Sequence, residues 1–170
     1  MNKVVKEILS YALIIVAVIL FKIYIMSPVR VDGDSMNPTL KNGDIMLLNE
    51  IGYRLNGVDR FDIVVINSGD DVIIKRVIGL PGEKVDYKDN KLYINDKEIS
   101  EDFDHEVTHN FDFEEEMKVK KIPTDSYFVV GDNRGNSKDS RMIGFIKKDQ
   151  IRGKVIKQIL FPFSRFGSVK

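Results

Sequence analysis

The sequence predicts an all-β body, a curled antiparallel sheet assembly carrying a β-rich insert, on one N-terminal membrane-spanning helix. Three observations predict it. Ile8–Met26 is an apolar stretch of nineteen residues whose one charge is Lys22, close to the roughly 20 residues that a helix needs to cross a bilayer. From residue 27 onward the apolar residues fall in short runs bounded by Gly, Asp, Asn and Pro, the pattern of strands and turns. Beyond Pro81-Gly82 the runs shorten and alternate with polar residues, which sets residues 83–121 apart as an insert. The expected division is 1–26 for the cytoplasmic N-terminus and transmembrane helix, and 27–170 for one extracytoplasmic domain carrying that insert.

Each element follows in order. Lys3 and Lys6 against Glu7 make the N-terminus basic, which predicts that it stays on the cytoplasmic side, while Lys22 and Tyr24 suit the far interface. A cleaved leader is the competing reading, but Met26-Ser27-Pro28-Val29 offers no small-x-small cleavage site. Ser27-Pro28 ends the helix, and Val29-Arg30-Val31 alternates like a strand. Gly43–Leu48 and Asp62–Ile66 read as buried strands. Asn67–Asp71 supplies a turn, and Val72–Ile78 is the return strand. In the insert, Asp89-Asn90 and Asn95-Asp96 punctuate the short strands Lys91–Ile94 and Lys97–Ile99, a hairpin pattern, and residues 100–121 are acidic and irregular. Tyr127–Val130 leads to the turn Gly131-Asp132-Asn133, and Lys154–Gln158 is strand-like. Phe161, Phe163 and Phe166 close the chain, either as a flap over the core or as a patch resting in the membrane interface.

Lys plus Arg equals Asp plus Glu, 26 each. The balance argues against a nucleic acid partner, which usually selects a basic excess. Cysteine is absent, so neither a disulfide nor a thiolate metal site is possible.

The chemistry starts at Ser35, in Gly33-Asp34-Ser35-Met36-Asn37-Pro38-Thr39-Leu40. It stands at a strand end on a bend that Pro38 stiffens. An alcohol needs a base to take its proton. The two histidines, His105 and His109, lie in a charged, loop-like region, which leaves a lysine made neutral by burial. Lys75 is the candidate, because it lies in the apolar run Val72–Leu80 beside Arg76. Burial and a like charge both push a lysine below its usual value of about 10.4.

Four segments together resemble the successive boxes of type I signal peptidases, in family order: Ser35–Leu40, Arg60–Val65, Lys75–Glu83 and Gly131–Arg141. The resemblance implies a membrane-bound serine endopeptidase that removes signal peptides from exported preproteins after a small-x-small site. In it Ser35 is the nucleophile and Lys75 the general base, and neither a cofactor nor a metal takes part. It implies a hydrogen bond from Ser137 to the lysine amine, a salt bridge between Asp139 and Arg141, and structural roles for Asp132 and Arg76. It places Val29, Val31, Met36, Leu40, Ile73 and Ile74 along two shallow substrate pockets, though by sequence each is equally a core residue. The chain carries Gly33 where the enteric pattern has an oxyanion-hole serine, as Gram-positive members do, which leaves the Ser35 amide as the named donor.

Two further readings frame this one. His105-Glu106-Val107-Thr108-His109 fits the HExxH zinc signature, but Phe103, His105, Val107, His109, Phe111 and Phe113 alternate with polar residues. In a strand the two histidines stand about 13 Å apart, at roughly 3.3 Å per residue, too far to share a zinc. A self-cleaving repressor with the same Ser/Lys body, or an anchored module that has lost catalysis, would keep the fold. The apolar stretch Ile8–Met26 speaks against the first of these.

Overall fold

The computed structural model describes residues 3–51, 53, 57–69 and 71–159, with the side chains of 19–26 and 157–159 outside that description. Helix α1 (Lys3–Ile25) leads into strand β1 (Met26–Arg30). The body that follows has β2 (Ile45–Asn49), β3 (Ile63–Ser68) and β4 (Asp71–Gly79). The insert then contributes β5 (Val85–Lys88), β6 (Lys91–Ile94) and β7 (Lys97–Ile99). The chain returns through β8 (Ser126–Val130), β9 (Ile146–Lys147) and β10 (Ile151–Ile159). Seven of these strands form the large sheet, in the order β1-β2-β10-β3-β4-β8-β9. Every pairing in it is antiparallel. Pro28 is tolerated in β1 because that strand, with β2 alone beside it, is an edge.

The insert strands make a second sheet of their own, in the order β5-β6-β7. Its two hairpins turn at Asp89-Asn90 and Asn95-Asp96, all four residues at positive φ. That is the backbone of the two-residue turn whose twist matches the strands it joins. Tyr87, Leu92, Phe111 and Phe113 of the insert share one core with Ile78, Phe128 and Val130 of the large sheet. A second core lies under the Ser35 turn, and a third fills the opposite face of β3 and β4.

The expected span falls on α1. Its described side chains are all exposed, and among the described residues no helix is long and apolar enough to cross a membrane. The second half of the expected span, and Phe161, Phe163 and Phe166, lie outside the described side chains.

Two expectations need correction. The alternation from Phe103 to Phe113 is not a strand. Among the described residues its one ladder contact is the Phe111–Tyr87 bridge. Elsewhere the backbone is held by other groups: Glu106 N–H donates to the Asp132 carbonyl at 2.9 Å and Thr108 N–H to Asn90 Oδ1 at 2.7 Å. Two short helices, α2 (Phe113–Met117) and α3 (Ser140–Ile143), stand where none was expected. In α2, Asp112 accepts from Glu115 N–H at 2.9 Å, and Glu114, Glu115 and Glu116 fill the positive end of the helix.

Candidate active site

Ser35 is carried by the turn between β1 and β2. Gly33 opens it at φ +89, a conformation that side chains rarely adopt, so a serine here would be strained. Asn37 N–H closes the bend onto the Asp34 carbonyl at 3.0 Å, and Leu40 N–H onto Met36 at 2.8 Å. Met36 and Leu40 are sunk in the core beneath. Both sides of the bend are therefore pinned, and the hydroxyl between them has a fixed direction.

Lys75 arrives from β4. That strand pairs with β3 from Asp71 to Arg76, but with β8 only from Arg76 onward. The segment Asp71–Lys75 thus keeps one backbone edge without a strand partner among the described residues. Lys75 is 3% exposed, and its Nζ lies 2.6 Å from Ser35 Oγ. Burial pushes its ammonium below the ordinary lysine value; Asp139 and Asp132 pull the other way, and Arg141 adds a further push down.

Adjacent side chains on a strand point to opposite faces, and Arg76 turns away into a paired network. It grips Asp132 through two bonds, Nε to Oδ1 at 2.9 Å and Nη2 to Oδ2 at 2.7 Å, with both side chains fully buried. It also donates to the Phe61 carbonyl at 3.0 Å and lies 3.8 Å over the Phe103 ring. Asp139 binds Arg141 at 2.7 Å and accepts from Gly131 N–H at 3.0 Å. Gly131 has to be glycine: a Cβ there would collide with the Ser35 carbonyl and the Ser137 side chain. Asn133 completes the seam, its N–H donating to the Ser35 carbonyl and its amide to the Asp34 carbonyl, each at 3.1 Å.

Two of the expected site residues make contacts other than those expected. Ser137 Oγ is buried without a hydrogen-bond partner among the described residues, so the bond to the lysine amine is not made; the hydroxyl packs against Gly131, and the amine faces Ser35. Leu40 is fully buried with Met46 and Leu48 and does not line the cleft beside the pair. That cleft, of ≈ 410 Å³, is walled by Val29, Val31, Met36, Ile73 and Ile74, with Ser35 and Lys75 in its wall. Arg134 was missed altogether. It is buried in the insert, held by Glu101 Oε1 and Thr108 Oγ1, each at 2.6 Å. Among the described residues no group of three or more His, Asp or Glu side chains could hold a metal ion. His105 lies against Phe103 and the Glu106 carbonyl, and no helix runs through residues 101–110.

A pinned serine facing a buried lysine, on an antiparallel sheet, invites comparison with known proteases. The family profile "Signal peptidase, peptidase S26" matches residues 3–160. The chain belongs to this family. It is a peptidase, and its signal peptidase relatives are similar along most of its length. Signal peptidase IB of Staphylococcus aureus (strain COL) is 40% identical over 179 residues, which cover 95% of this chain and 93% of that one. Signal peptidase I of Bacillus caldolyticus is 37% identical over 155 residues, 85% of each. The crystal structure of a signal peptidase I from Enterococcus faecalis V583 superposes with a TM-score of 0.52 at 40% identity, covering 57% of this chain and 95% of that chain.

Proposed function

We propose that this family member is a membrane-anchored signal peptidase that cuts exported preproteins after a small-x-small site, by a Ser35 nucleophile and a Lys75 general base. The 2.6 Å separation of Lys75 Nζ and Ser35 Oγ carries the reading. A lysine whose proton affinity is lowered by burial offers a lone pair to the serine hydroxyl. Ser35 Oγ attacks the scissile carbonyl while its proton passes to Nζ. The Ser35 amide N–H steadies the oxyanion, the protonated lysine gives its proton to the leaving amine, and an acyl-enzyme remains. Neutral Lys75 then takes a proton from water as the water oxygen attacks the acyl carbon, and returns it to Ser35 Oγ as the acyl–oxygen bond breaks, which releases the acid and restores the hydroxyl.

Substrate recognition follows from the edge of β4. An extended peptide can add to a free strand edge by main-chain hydrogen bonds, with alternate side chains facing one wall. The wall here sets Val29, Val31, Met36, Ile73 and Ile74 beside the charged Arg30, Asp32 and Asp71, and the apolar members are the ones suited to small side chains at alternate positions. Support for the anchor comes from α1, whose described apolar side chains are exposed rather than packed on the body. Such a helix is stable when lipid takes the place of a packed core. The basic N-terminus then lies in the cytoplasm and Ser35 lies close to the outer membrane surface.

The test is a detergent extract incubated with a preprotein bearing an Ala-x-Ala site. Wild type cuts at that site; Ser35→Ala and Lys75→Ala do not, and the double variant is hardly worse than either, because residues acting as a unit lose activity together. A Lys75→Ala enzyme with substantial activity overturns the pair.

A further inference from the structure

The loop that meets Ser35 is anchored at its far end by the insert. Arg134 follows Asn133 directly, and its guanidinium is fully buried against a side-chain cradle: Glu101 at 2.6 Å, Thr108 at 2.6 Å and the Tyr87 hydroxyl at 3.2 Å. Its own carbonyl accepts from Arg141 Nη2 at 2.9 Å, the same nitrogen that binds Asp139. Arg134 N–H reaches back to the Asp132 carbonyl at 3.0 Å. The backbone from 132 to 134 is thus clamped on one side by the insert, and on the other it holds the carbonyls of Asp34 and Ser35 through Asn133.

We infer that the insert is a positioning element for the reaction, with Glu101 and Thr108 acting through Arg134 and Asn133 to aim the Ser35 hydroxyl at Lys75. None of the cradle residues lines the cleft, whose walls come from residues 29–36 and 71–75. Loss of the cradle should therefore slow the chemistry and leave peptide binding alone. A displacement of about 1 Å at a reacting group can cost 100-fold, so the expected loss for Glu101→Ala is about 10- to 100-fold in kcat with KM unchanged.

The inference rests on the Ser35–Lys75 reading, and two substrates keep the two apart. One is an Ala-x-Ala peptide. The other is p-nitrophenyl acetate, which acylates Ser35 with release of nitrophenolate as the hydroxyl proton passes to Lys75, and needs no peptide site. The decisive variant is Glu101→Leu with Arg134→Met, which removes both buried charges together and so avoids leaving one unpaired. It should melt near wild type and still acylate about 10- to 100-fold more slowly. Thr108→Val, nearly isosteric, should slow acylation by about 3- to 10-fold, the worth of one hydrogen bond. A folded double variant, or a Thr108→Val enzyme, acylating at the wild-type rate overturns the inference, as does a fall confined to KM. A wild-type enzyme that is acylated but leaves the peptide intact refutes the peptidase specificity alone. One that is not acylated refutes both.

Discussion

Lys75 and Arg76 are neighbours on β4, both cationic in water and both buried, yet the protein treats their charges in opposite ways. Arg76 is paired on every side. Asp132 meets it with two bonds, the Phe61 carbonyl takes a third, and Phe103 covers its face. Lys75 receives a hydroxyl and no carboxylate within ion-pair distance among the described residues, while Asp132 and Asp139 act on it only through space. Burial thus has two outcomes, depending on whether a partner comes with it. A paired cation becomes part of the frame, and one without a carboxylate beside it holds its proton less tightly, as the proposed base requires. The residue types suit these roles, since guanidinium stays charged and fits a carboxylate with a fork, whereas an amine titrates readily.

On the Arg76 side the largest change in stability is expected. Arg76→Ala strands Asp132 as a buried unpaired carboxylate and should destabilise the fold by about 3–5 kcal/mol, read by chemical denaturation. Arg76→Leu with Asp132→Leu should recover most of that. A single variant within about 1 kcal/mol of wild type would mean that water reaches the pair and that it is no frame at all.

From the Lys75 side the effect is smaller and opposite in sign. A lysine whose folded value is depressed binds a proton in the unfolded chain that the native chain does not hold, so its cost is full below the folded pKa. That cost is relieved as pH rises toward the ordinary lysine range. Lys75→Met should therefore raise the melting temperature near neutral pH, by about 2–4 °C for each kcal/mol recovered, and the gain should shrink as pH rises. A variant that melts below wild type at pH 7 would show that the lysine is charged and paired.

Much of this contrast could be read in the sequence, because its signals are local. Ser35 sits in a short stretch dense in turn formers, Lys75 and Arg76 interrupt an apolar run, and the insert hairpins turn at adjacent Asn and Asp residues whose tolerance of positive φ is a property of the residue itself. What sequence missed is non-local or masked by composition. Glu101 finds Arg134 across 33 positions, and nothing near either residue marks the partner. Phe103 looks like one step of an alternating strand, but its ring is taken up by Arg76 and Phe61. Leu40 and Met36 look alike four residues apart and share one core, and only the turn geometry brings Met36 to the cleft wall as well. The cap of α2 was readable, since Asp112 stands three residues before Glu115, but the run of acids after it suggests a solvated loop.

Whether Lys75 works as a neutral amine decides the mechanism, and the pH dependence of Ser35 acylation in the wild type and in Lys75→Arg tests that most directly. The rate in the wild type should rise with pH above neutrality and level off below the ordinary lysine value, reporting the depressed pKa of Lys75, and the arginine variant should stay inactive at every pH because guanidinium does not give up its proton. A rate that falls steadily above pH 7, or an active Lys75→Arg enzyme, would contradict a lysine base.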